Sequence, residues 1–238
     1  EGIVKLVFQP DEEGFTGAKK MIEAGVLENP KVDAAMAMHV NSGTPSNLVV
    51  CGLGTSIGGC NRFRIVVKGT GCHGAMPETG VDPIFIANQI YSAIQEITNR
   101  EIVATQPVVI TIGKFVGGDA PNIIPGEVIM EGTVRFLDKE VGEFIVERMN
   151  DIITSTAKLF RGEAQLIELS SVPPLTNDDK LVLSHNNTIN TLKGKTIKIS
   201  DSLSSKLLRE ELIYKKPWTK SHINTLSEID GLVIRKRF

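Results

Sequence analysis

Apolar positions open the chain as a run from Ile3 to Phe8 with a single lysine inside it. A short apolar run bounded by a turn reads as a buried strand, and Gln9-Pro10-Asp11-Glu12-Glu13-Gly14 breaks it into a loop. Thr16 is the expected N-cap of a helix. Ala18, Met21 and Ile22 follow at helical spacing, and Gly25 stands as the C′ stop. Residues 32–38 are small and apolar and predict a second buried strand that ends at His39. Strand, helix and strand with short links form the βαβ pattern of a parallel sheet. Ligands bind beyond the carboxyl ends of strands in such sheets, and Glu12, Glu13 and His39 all lie at those ends.

The pattern changes after residue 60. Residues 61–69 read as a strand, and 82–100 as an amphipathic helix with Asp82 as N-cap and Pro83 in its first turn. Ile84, Ala87, Ile90, Tyr91, Ile94 and Ile97 form its predicted apolar stripe. Residues 108–116 and 127–136 alternate like antiparallel strands, 141–160 reads as a second helix, and 163–170 as a last strand. The order βαββαβ is the ferredoxin-like arrangement. The expected architecture is therefore an α/β segment of parallel-type sheet carrying an inserted α+β ferredoxin-like domain. The expected divisions are 1–60, 61–171 and 172–238.

From about residue 185 the periodicity decays, with 204–214 as the one expected short helix. Charge changes at the same place. Residues 1–175 carry 14 Lys/Arg against 21 Asp/Glu, whereas 176–238 carry 12 against 7, which marks a composition boundary. The chain begins inside an apolar run without an initiator Met, as a piece of a longer protein would. Net charge of −2 and 5% aromatic content argue against polyanion binding and base stacking. No apolar run nears the ~20 residues of a membrane span. Cys51, Cys60 and Cys72 fit neither a disulfide framework nor a zinc knuckle, so no nucleic-acid partner, no membrane and a reducing cytoplasm are expected.

Several residues have chemistry to offer. Adjacent carboxylates Glu12 and Glu13 can divide metal binding from proton transfer, although a solvated pair in a loop is the plainer reading. His39 is a second candidate metal ligand or a satisfied strand residue. His73 lies in the glycine-rich segment Gly69-Thr70-Gly71-Cys72-His73-Gly74, where glycine permits close approach and an imidazole can serve an oxyanion. Asn122, between apolar residues, can hydrogen-bond an amide, and Arg135 can clamp a carboxylate; each also has a structural reading. The cysteines read as packing residues. His185, His222 and the basic segment around Trp218 read as solvated tail.

Taken in order, Val7-Phe8-Gln9-Pro10-Asp11-Glu12-Glu13-Gly14, Met38-His39-Val40, Gly71-Cys72-His73-Gly74-Ala75-Met76-Pro77, Val81-Asp82-Pro83-Ile84, Asn122-Ile123-Ile124-Pro125 and Gly132-Thr133-Val134-Arg135 resemble the metal-dependent aminoacylase and carboxypeptidase-like amidohydrolases. The branch is that of hippurate hydrolase and indole-acetyl-amino-acid hydrolase, and the resemblance covers about residues 1–185. Asp11, Cys72 and Glu78 depart from the residues the family often has there.

The resemblance implies hydrolysis of N-acyl amino acids, with Glu12 as general base and Glu13 and His39 as metal ligands. His73, Asn122 and Arg135 would bind substrate from a lid that is also the dimerisation domain, giving a homodimer. It implies two divalent ions (Zn, Mn, Co or Ni) per intact subunit. The family's upstream His-x-Asp and Cys-Gly-His-Asp segments and its late His ligand are not found in this chain. With at most two ligands, the chain is expected to have little or no activity. The tail from about 190 does not resemble the family, as a frameshift or a decayed gene would produce. The alternative reading is a non-catalytic dimerisation module.

Overall fold

The computed structural model describes residues 2–37, 39, 50 and 52–184, with strand backbone at 48–49, 198–200, 211–212 and 231–235. Expectations for Met38, Val40, Cys51, His185, His222 and Trp218 lie outside the described residues. The chain forms two compact units, Gly58–Pro174 and the combination of Glu1–Ile57 with Leu175–Phe238.

In the second of these, β1 (Val4–Phe8) leads through a loop to α1 (Gly17–Glu23) and then β2 (Ala34–Ala37). The helix stops where the glycine predicts. Gly25 takes φ +81°, its N–H bonds Ile22 O, and the Val26 N–H bonds Met21 O, which is a Schellman closure. Thr16 does not cap α1. Its hydroxyl donates instead to the Asp11 carboxylate, a stronger, charged acceptor that competes with the helix N–H groups.

β1 and β2 are antiparallel to β14 (Gly231–Arg235), which lies between them. They therefore run parallel to each other, as the βαβ pattern predicts, but are not hydrogen-bonded neighbours. β14 was not legible as a strand in the aperiodic tail. Further short strands are β3 (Leu48–Val50) and β4 (Thr55–Ile57). Later in the chain, β11 (Leu175–Thr176) pairs with β4, and β12 (Lys198–Ser200) and β13 (Glu211–Leu212) flank β3. The helix expected over 204–214 is corrected at 211–212, where the backbone is strand.

The unit Gly58–Pro174 is ferredoxin-like. β5 (Gly59–Lys68), α2 (Pro83–Glu96), β7 (Val108–Gly117), β9 (Glu127–Phe136), α3 (Lys139–Leu159) and β10 (Glu163–Val172) build one antiparallel sheet in the order β10-β5-β9-β7. Asp82 and Asp138 cap the two helices, each accepting two backbone N–H bonds. Phe63, Ile65 and Val67 of β5, Met130, Val134 and Phe136 of β9, and Ile145, Met149 and Ile153 of α3 form the core with α2.

The apolar stripe of α2 is rotated from the expected one. Ile86, Ala87, Ile90, Ile94 and Ile97 are fully buried, whereas Ile84 and Tyr91 are exposed. Facing both the sheet and α3 brings Ile86 inward beside Ala87, Ile90, Ile94 and Ile97, and leaves Ile84 and Tyr91 at the outer edge. α2 ends in a π turn over Ile97–Glu101, held to α3 by a bidentate Arg148–Glu101 pair at 2.7 and 2.9 Å.

Candidate active site

The loop after β1 presents Glu12 and Glu13. Asp11 and Phe15 on either side adopt left-handed φ values of 54° and 60°, and the Phe15 N–H closes the turn on Glu12 O at 3.0 Å. Glu12 is half-buried, and its Oε1 lies 4.0 Å from Nε2 of His39, which follows β2. The structure thus brings Glu12 and His39 together at the ends of β1 and β2. Glu13, on the same turn, is exposed. Among the described residues, no three His, Cys, Asp or Glu side chains converge to hold a metal ion. A catalytic zinc takes three protein ligands, so the described residues do not by themselves fit a complete metal centre.

In the other unit, His73 and Asn122 meet on a small flap. β6 (Cys72–His73) pairs with β8 (Ile123–Ile124), His73 opposite Ile123. The Gly74 N–H donates to Asn122 O at 2.8 Å, and a Cβ on Gly74 would stand only 3.0 Å from that oxygen. Glycine leaves that close approach uncrowded. His73 is exposed, and its Nδ1 accepts the Ala75 N–H at 3.1 Å. The neutral ring therefore carries its proton on Nε2, which faces outward as a hydrogen-bond donor. That backbone bond escaped the sequence reading, although the glycines on either side announced a tight turn.

Arg135 is not part of this flap. It stands near the C-terminal end of β9, opposite Cys60 on β5 and Val109 on β7. The flap adjoins the other end of β9, where Gly69 N–H bonds Gly126 O. Eight strand residues separate the two places, about 26 Å at the rise of a strand. Within one copy, His73 and Asn122 converge and Arg135 does not join them.

Val134 and Phe136 point into the core, so Arg135 lies on the sheet face away from the helices. Cross-strand register sets Arg62 opposite Thr133, and Arg64 opposite Glu131, on that face. Glu131 is shared by Arg64 at 2.7 Å and Lys114 at 3.3 Å. These hydrogen bonds and charges hold its carboxyl below the usual carboxylate range. Burial pushes the Cys60 thiol up, and the neighbouring Arg135 and Arg62 guanidinium groups partly offset that rise.

Residues 55–160 match the peptidase dimerisation domain of the M20 family. The chain is also 35% identical over 181 residues to the N-acetyl-L-cysteine deacetylase of Bacillus subtilis, covering 76% of this chain and 43% of that one. Residues 55–160 thus carry an M20-type peptidase dimerisation domain. Similarity to the thermostable carboxypeptidase 1 of Saccharolobus solfataricus, 32% identity over 243 residues, runs over 98% of this chain and 59% of that protein. A dinuclear metal binding M20 peptidase of Bacillus subtilis has a similar structure, with a TM-score of 0.61 and 28% identity over 82% of this chain and 48% of that one. The chain spans about half the length of the relatives it matches. No helix among the described residues is long and apolar enough to cross a membrane.

Proposed function

We propose that this chain carries part of an amide hydrolase acting on N-acyl amino acids. The observation that carries the reading is the half-buried Glu12 beside His39 at the ends of β1 and β2, within a sequence related to an N-acetyl-L-cysteine deacetylase. Glu12 is the general base: it takes a proton from the attacking water and returns it to the leaving nitrogen. Glu13 and His39 are donors for divalent metal, two ions per intact subunit, of which zinc, manganese, cobalt or nickel are the candidates. Residues 1–60 form part of the catalytic domain and 61–171 the lid, with the chain returning towards the catalytic domain after 172. The chain alone, with an incomplete donor set, has little or no activity.

In the lid, the Nε2–H of His73 is presented to an oxyanion, Asn122 to the amide and Arg135 to the substrate carboxylate. The separation of roughly 26 Å between flap and Arg135, at the rise of a strand, supports a site completed across a homodimer. Ile86, Ile90 and Ile97 are consumed by the core and leave nothing for a partner. Ile84, Phe85 and Tyr91 of α2, with Phe115 and Val116 of edge strand β7, are the exposed apolar residues that take their place. Free thiols at Cys60 and Cys72 are in keeping with a cytoplasmic enzyme.

The second reading, a non-catalytic dimerisation module, draws on the completeness of the ferredoxin-like unit. Exchanging residues 1–185 into the Bacillus subtilis deacetylase separates the two. Hydrolysis of N-acetyl-L-cysteine by the hybrid supports the amide hydrolase. A folded, dimeric hybrid that loads metal but has no turnover favours the module.

A further inference from the structure

The loop that carries Glu12 is closed on itself by two side chains to which no step of the reaction has been given. Thr16 stands where α1 would take an N-cap, yet its hydroxyl donates to the Asp11 carboxylate. α1 forgoes a bond that ordinarily stabilises a helix start, and the hydroxyl is committed to the loop instead. Asp11 holds φ at +54° and Phe15 at +60°, conformations that persist in non-glycine residues only where the surroundings enforce them. The Asp11 carboxylate folds over the turn, so that a Cβ on Gly14 would stand 2.2 Å from its Oδ1. A Cβ on Gly17 would stand 1.5 Å from Pro10 O, which sets the first turn of α1 directly against the entry of the loop. Inside this knuckle the Phe15 N–H bonds Glu12 O at 3.0 Å. Glu12 lies between the two left-handed residues, half-buried, with its Oε1 4.0 Å from His39 Nε2. The hydroxyl–carboxylate bond therefore joins the two ends of the turn whose middle carries Glu12.

Resting on the reading of Glu12 as the general base, we propose that Asp11 and Thr16 are positioning residues: their bond locks the turn that aims the Glu12 carboxylate at the attacking water. A carboxylate is a stronger acceptor for the hydroxyl than a neutral group. Aspartate also tolerates a left-handed φ better than most side chains, so Asp11 supplies both the acceptor and the conformation. Releasing the bond lets Glu12 leave its productive geometry, and a displacement of about 1 Å can slow a reaction on the order of 10²-fold. Acting through Glu12 alone, the bond contributes to kcat and leaves KM and metal content as they are.

Two measurements test this. In the whole chain, hydrogen exchange of the Phe15 amide reads the turn without metal or turnover. Thr16→Val removes the hydroxyl at nearly constant volume and speeds that exchange about tenfold, leaving the Ile90 amide of the lid unchanged; Thr16→Ser restores the protection. In the hybrid of residues 1–185 with the Bacillus subtilis deacetylase, Thr16→Val lowers kcat about tenfold, with KM and metal content within about twofold. Thr16→Ser, which keeps the donor, retains most of the turnover. Asp11→Ala combined with Thr16→Val is no slower than Asp11→Ala alone, because both break one bond. Unchanged Phe15 exchange in Thr16→Val overturns the clamp. Faster exchange with unchanged kcat, or a loss shared by KM or metal content, overturns the positioning role. A hybrid that loads metal but has no turnover removes the reading of Glu12 as the base and the positioning role with it, while the exchange still reports on the turn.

Discussion

Replacing Ile90 by alanine measures how much of the lid's stability comes from the α2–sheet–α3 core. Ile90 is fully buried at the middle of α2, within a cluster that draws on α2, α3, β5 and β9. The substitution deletes three carbons, at roughly 0.8 kcal/mol each for transfer from water. The space left behind adds a cavity cost, bringing the total to about 3–4 kcal/mol, inside the usual 2–5. For a unit of about 120 residues, Gly58–Pro174, each kcal/mol moves the midpoint by roughly 3–6 °C. A fall of about 10–20 °C in the lid transition is expected, followed by far-UV circular dichroism of the whole chain. Ser92→Ala, exposed on the same helix, stays within ~0.5 kcal/mol of wild type. If Ile90→Ala moves the transition by less than about 4 °C, the close-packed core described above is wrong.

Asp82→Ala and Asp138→Ala each remove a cap that accepts two N–H bonds; urea melts should show a loss of about 1 kcal/mol apiece. Glu101 is held below its ordinary carboxyl value, first by its hydrogen bonds to Arg148. Its folded pKa is depressed, so the stabilisation is present above the ordinary value of 4.5 and is lost as pH falls below it. Urea midpoints from pH 6 to pH 3 should therefore fall, and fall less steeply in Arg148→Gln; equal slopes would sink this linkage. Sedimentation at micromolar concentration should show a dimer of the 25.9 kDa chain, and Phe85→Glu should shift it to monomer. A wild-type monomer removes the interface assigned to α2 and β7.

The lid was legible because its elements are long enough to show a period. β9 occupies the ten residues 127–136 that alternate in the sequence, and the Asp82-Pro83 pair marks the start of α2. The rotation of its apolar stripe was not legible. Isoleucines lie on several sides of α2, and only packing against two partners decides which set turns inward. β6 and β8, two residues each, carry no period at all, so the flap that joins His73 to Asn122 arises from backbone bonds the sequence does not display. Glu12 and His39 were placed at strand ends by the βαβ pattern, and the structure sets them 4.0 Å apart.

The most direct test of the functional reading is Glu12→Gln in the hybrid of residues 1–185 with the Bacillus subtilis deacetylase, measuring kcat and metal content on the same samples. Removing a positioned general base lowers kcat by roughly 10²–10⁴-fold, while metal content stays at the hybrid's own level. Glu13→Gln, in contrast, lowers the metal content. Full turnover in Glu12→Gln, with metal in place, would contradict the assignment of Glu12 as the base.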